Sequence, residues 1–178
     1  MLMRKLSILI LTLLMSCYPE FTPRLDFNTE GYTPVYAAPS AAEIKLLPPQ
    51  VVKNPGKIYV YRSYLLVNEV KRGIHIFNNI NPSDPQPVGF IEILGNTDMA
   101  IKDNVLYADH MGNLVALKTE DFSTLEKTGE LPISRWQYGV PPPGGFYFEC
   151  VNEANGIVVS WKKTTLKNPD CYAYSSSW

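Results

Sequence analysis

The stretch Tyr64-Leu65-Leu66-Val67-Asn68-Glu69-Val70-Lys71-Arg72-Gly73-Ile74-His75-Ile76-Phe77 decides the fold, because its pattern returns within residues 105–117. Tyr64 to Asn68 aligns with Val105-Leu106-Tyr107-Ala108-Asp109 at an offset of 41. Gly73 to Phe77 aligns with Asn113-Leu114-Val115-Ala116-Leu117 at an offset of 40. Asn81 then matches Asp121, and Gly89 matches Gly129, at the same offset. The segments are rich in β-branched and aromatic residues and are separated by turn formers, so each reads as a short strand. Ile58 to Tyr61 and Val88 to Leu94 supply two further strands of the first unit.

A third, irregular copy follows. Phe146-Tyr147-Phe148-Glu149-Cys150 and Gly156 to Trp161 stand where the paired strands should be, with Cys171 to Tyr174 as the next strand. The insertion Val140-Pro141-Pro142-Pro143-Gly144-Gly145 must be a loop, since proline cannot donate to a β-ladder. A period of 40 with four short strands per unit is the pattern of β-propeller blades. Helical repeats of similar length are excluded, because nothing after residue 56 keeps apolar residues at i, i+3, i+4 and i+7 over ten positions. The expected fold is therefore all-β, an incomplete β-propeller of about three antiparallel, four-stranded units at 56–97, 98–137 and 138–178.

The stretch from Gly56 to Ile93, followed by residues 95–117, resembles the bacterial LVIVD-repeat proteins. Leu106-Tyr107-Ala108-Asp109 fills the family's Tyr-Val-Ala-Asp-like slot, Gly73-Ile74-His75-Ile76 its Gly-Leu-x-Ile slot, and Asn79-Ile80-Asn81-Pro82 its closing turn. The likeness covers 56–132 well and 146–174 loosely. It implies a β-propeller in a surface lipoprotein and brings no catalytic residues with it. Propellers close with about 4–8 blades, and three leave two blade faces unpaired. The expectation is self-association through the terminal blades, or a chain truncated after Ser175-Ser176-Ser177-Trp178.

Residues 1–17 give the address. Arg4 and Lys5 precede an apolar run from Leu6 to Met15, then Ser16 and Cys17. This is a secretory signal peptide, with a run too short to span a bilayer. Leu14-Met15-Ser16-Cys17 resembles the lipobox of bacterial lipoproteins, which implies a lipidated Cys17 and removal of residues 1–16; an ordinary signal peptide with an incidental cysteine is the alternative. The expected location is the outer membrane or cell surface. Residues 17–50, with Pro19, Pro23, Pro34, Pro39, Pro48 and Pro49, read as a tether ahead of a repeat domain at 51–178. Of the remaining cysteines, Cys150 and Cys171 form an even pair in an oxidising compartment and are expected to bridge, two buried thiols being the alternative.

Cleavage would leave a net charge of −3, from 14 Lys+Arg against 17 Asp+Glu. Without a basic patch, nucleic acid is excluded as a partner and the lipid must supply membrane attachment. No nucleophile elbow, Walker loop, His-Glu-x-x-His or dinucleotide fingerprint is present, and no cofactor or metal motif. Asp98, Asp109 and His110 lie near strand ends, where they would satisfy turns or, on the sharper reading, converge on a rim site. His75 reads as a packed strand residue. Glu69 and Glu149 hold roughly equivalent strand ends. Trp136 and Tyr138, beside the Pro-Pro-Pro-Gly-Gly loop, mark the expected binding surface. The functional expectation is a non-enzymatic module contacting an envelope protein or glycan. The alternative is a rim hydrolase or lyase using Asp98, Asp109, His110 or Glu149.

Overall fold

The computed structural model describes residues 27–174. The expected signal peptide, Cys17 and the terminal serines lie outside the described residues. The chain is all-β, with thirteen strands in three antiparallel-rich sheets.

The first repeat sheet holds β2 (Lys45–Leu47), β3 (Pro55–Tyr61), β4 (Tyr64–Glu69), β5 (Gly73–Asn78) and β6 (Gln86–Glu92). Their order is β2-β6-β5-β4-β3, an antiparallel meander with β2 added at the outer edge, so this unit has five strands rather than four. The second repeat sheet is β7 (Met99–Lys102), β8 (Val105–His110), β9 (Asn113–Lys118) and β10 (Glu126–Pro132), in meander order.

The two sheets agree down to their irregularities. Ile76 pairs with Gly89 and Phe77 with Pro87, so Val88 is an extra residue in β6. Ala116 pairs with Gly129 and Leu117 with Lys127, which makes Thr128 the extra residue in β10, forty positions later. The change of offset from 41 to 40 has a simple cause. Glu69 pairs with Gly73 across a loop of three residues, whereas His110 pairs with Asn113 across a loop of two.

The shared core lies between these sheets. Leu66, Ile74, Ile76 and Ile91 pack against Met99, Ile101, Leu106, Val115 and Leu117. Tyr59 donates its hydroxyl to the Ile101 carbonyl (3.4 Å), Tyr61 bonds Asn104 Oδ1 (3.0 Å), and Tyr64 meets the Phe122 ring edge to face. The tyrosines thus join a large apolar area to polar tips that find partners.

The third sheet corrects the expected third unit. Its strands are β1 (Asn28–Ala37), β11 (Phe146–Phe148), β12 (Ile157–Lys167) and β13 (Cys171–Ala173), in the order β12-β1-β11-β13. It is not an antiparallel meander: β1 runs parallel to β11 and antiparallel to β12. The segment 17–50 is accordingly not all tether, since Asn28–Ala37 fills the middle of this mixed sheet and Lys45–Leu47 the edge of another. The bridge between Cys150 and Cys171 is present, with Cα atoms 5.4 Å apart, and it ties the end of β11 to β13. A disulfide is compatible with an exported protein.

Candidate functional site

The loop 133–142 joins the mixed sheet to the repeat sheets. Val140 donates its N–H to the Val158 carbonyl of β12, and Val158 N–H donates in turn to the Tyr138 carbonyl, while the Val140 side chain lies against Gly95 beside Met111. Gly139, at φ 106°, lets the chain pass Val158 so closely that a Cβ would fall 2.2 Å from its carbonyl oxygen. Here the hairpin tips of both repeat sheets and the edge of the mixed sheet converge on a cleft of about 870 Å³.

One wall of the cleft is aromatic. Trp136 sits edge to face with Tyr138 (5.1 Å between ring centroids) and Phe148 (5.9 Å), and beside Trp161 (6.0 Å). Trp161 fixes this cluster by donating Nε1–H to the Val140 carbonyl at 2.9 Å. Trp136 and Phe148 line the cleft together with Tyr172 and Tyr174, whereas Tyr138 does not line it. The repeats also line the cleft, through Lys71, Gly95, Thr97, Asp109 and Gly112. Lys71, at a hairpin tip with φ 66°, is held by its N–H on the Asn96 carbonyl and by Gly95 N–H on its own carbonyl. Lys71 and Arg135 are exposed and form no ion pair among the described residues.

The expected chemical residues have other work. Asp109 accepts from Asn96 Nδ2 (2.8 Å), Thr97 N–H (2.8 Å) and Asp98 N–H (2.7 Å), and from the Thr97 hydroxyl. Its carboxylate therefore organises the loop at 95–98, with three of these bonds on Oδ1 and one on Oδ2. Asp98 caps Met99 N–H and pairs with Lys57 at 2.7 Å; that lysine holds its carboxyl below the ordinary range. His110 is buried and faces Ala42, Lys127 and Glu130, away from the aromatic cleft. Among the described residues no three His, Cys, Asp or Glu side chains are grouped to hold a metal ion. Glu149 is exposed at the end of β11, where its N–H bonds the Tyr32 carbonyl, and no contact joins it to Glu69.

The buried carboxylate that the sequence left without a role is Glu69. It accepts the N–H groups of Lys53 (2.9 Å) and Asn54 (2.6 Å) and meets His75 Nε2 at 2.8 Å. A carboxylate can only accept, so Nε2 carries the proton. Burial pushes the Glu69 pKa up, but the hydrogen bonds from Lys53, His75 and Asn54 outweigh it and leave the pKa below its ordinary value.

Between the two repeats runs a relay of equivalent residues. Asn68 and Asp109, 41 positions apart, are bridged by Asn96, which receives Asn68 Nδ2–H and donates to Asp109. Lys71, Arg135 and Tyr172 were not singled out by the sequence, because exposed cations and a single strand tyrosine carry no pattern of their own. No protein-family model, curated protein or solved structure matches the chain.

Proposed function

We propose that this chain is an exported, lipid-anchored binding module of the bacterial envelope, non-enzymatic, whose two repeat sheets are consecutive β-propeller blades. Its ligand surface is the cleft at the hairpin tips. The observation that carries this reading is the convergence there of an aromatic wall (Trp136, Phe148, Tyr172) with two exposed cations, Lys71 and Arg135. Flat rings together with unpaired positive charge suit a ligand with a planar or sugar-ring body and an acidic group, such as an envelope glycan or an acidic protein segment. The Asp109 carboxylate is committed to its own loop and that of Asp98 to Met99 and Lys57, which argues against a hydrolase at this rim.

The anchor on Cys17 would hold the fold close to its membrane. Asn28 opens the mixed sheet, so the eleven residue steps from Cys17 can reach no further than about 40 Å. Two experiments test the proposal. Radiolabelled palmitate should enter the chain and fail to enter Cys17→Ala; equal labelling would overturn the anchor. Tryptophan fluorescence of the full chain, titrated with acidic and neutral glycans and acidic peptides, should shift saturably with an acidic member. Arg135→Ala and Lys71→Ala should each weaken that binding at least about fivefold. Binding indifferent to both substitutions would overturn the cleft as the site.

A further inference from the structure

Equivalent positions of the two repeats have opposite fates. Leu66 and Ile91 of the first sheet are sealed at 0% exposure in the shared core, while Tyr107 and Leu131, at the same repeat positions of the second sheet, are 38% and 61% exposed. The converse holds on the other faces. Met99 and Ile101 of the second sheet are 3% and 5% exposed, and their first-sheet equivalents Ile58 and Val60 are 63% and 60% exposed. The register explains the switch. Successive strand residues face opposite sides, so Tyr59, Leu66, Ile74 and Ile91 form the face of the first sheet that covers the second. The second sheet carries the same face in Ala100, Tyr107, Leu114 and Leu131, with no sheet upon it among the described residues. The first sheet carries the receiving face in Ile58, Val60, Leu65 and Val67. On that face Val67, His75 and Phe90 are already buried and Lys53 and Asn54 close the Glu69 end, so the open part is the strip at Ile58 and Val60 on the edge strand.

We infer that these two open faces are the halves of one interface, and that the chain associates with a second copy of itself head to tail, the Tyr107–Leu131 face of one copy on the Ile58–Val60 strip of the next. The occupant is a second copy because the chain already contains this interface once, between its own two repeat sheets. The charges agree as well. Lys57 pairs with Asp98 at the rim of the internal interface, and Asp98 itself stands at the Lys57 position of the second repeat. Stacking a further copy therefore again brings an acidic position of one sheet opposite a lysine of the next. Such a heterologous contact closes into a ring when its rotation permits and continues as a filament when it does not.

Sedimentation of the full chain in mild detergent tests it. The wild type should associate reversibly at micromolar concentration. Val60→Glu and Leu131→Glu, both at exposed positions, should each weaken association at least about tenfold, with circular dichroism unchanged. Because each variant keeps one intact face, their mixture should recover a complex of two chains. A wild type that stays monomeric overturns the proposal, and so does association indifferent to both substitutions. A mixture that forms no complex overturns the head-to-tail arrangement.

Discussion

The two repeat sheets and the mixed sheet solve the same problem with different means. Each repeat sheet is built from neighbouring strands joined by short turns, and it covers its apolar face with the other repeat. The mixed sheet gathers β1 from one end of the described chain and β11, β12 and β13 from the other, with Asn28 paired to Lys167. It has few buried aliphatic residues, Val140 and Val158 among them, and relies on aromatic edges, the Cys150–Cys171 bridge and the long β1–β12 ladder. Local pairing with a large shared core makes the first region self-sufficient. Closure over 139 residues of sequence makes the second dependent on its covalent staple.

The largest effect expected from this contrast is in the shared core. Leu66→Ala should cost about 2–5 kcal/mol, because the side chain is wholly buried between two sheets. Tyr107→Ala, at the equivalent position, should leave the folding of the isolated chain within about 0.5 kcal/mol of wild type. Chemical denaturation of both variants checks the pair. Similar costs would mean that the second sheet's open face is covered after all. Next comes the staple. Replacing both cysteines by serine should remove roughly 3 kcal/mol, the loop spanning 21 residues. Hydrogen exchange should show the loss in β11, β12 and β13 and not in β4 or β8. Uniform loss would break the distinction between the two regions.

The same division governs what the sequence reveals. The repeat strands are legible because the turn residues and the apolar alternation recur together, and even the offset change from 41 to 40 reports a real loop difference. Strand β1 is not legible because Pro34 argues against a strand inside a sheet. It is tolerated because β11 pairs only with Gly31 and Tyr32, so Pro34 lies past the end of that ladder. Strand β12 was legible to Trp161 and then obscured by Lys162 and Lys163. Those lysines suit an outer edge, where charge discourages further pairing. The pairing of Cys150 with Cys171 was legible from the even count that an expected lipidated Cys17 leaves, and of the two expected surface aromatics Trp136 lines the cleft while Tyr138 does not.

Glu69 sharpens the comparison within the repeats. Glu69→Gln should cost about 1–3 kcal/mol at neutral pH, since two backbone N–H groups and His75 lose a charged acceptor. The folded pKa is depressed, so this stability is fully present above the unfolded value of about 4.3 and is lost as pH falls through the folded value. The difference between wild type and Glu69→Gln should therefore shrink on acidification below about pH 4. A difference constant from neutral pH to pH 3 would show that the carboxylate's charge is not what matters.

The smallest effect belongs to His110, which occupies in the second repeat the position of Glu69 in the first. Burial lowers its pKa, Glu130 opposes that, Lys127 adds to it, and the Ala42 carbonyl and Asp109 oppose it; the net result lies below the ordinary imidazole value. The folded protein thus prefers the neutral ring. In the unfolded chain the ring takes up its proton near pH 6.5, so the contribution is present above that value and declines as pH falls from 6.5 toward the folded value. Thermal midpoints measured between pH 7.5 and 5 should fall for the wild type and hold nearly level for His110→Gln. The two equivalent positions then separate by pH alone, with the second repeat weakening near pH 6 and the first only about two units lower. A midpoint in His110→Gln that tracks the wild type would place the acid sensitivity elsewhere and leave the repeats alike in this respect.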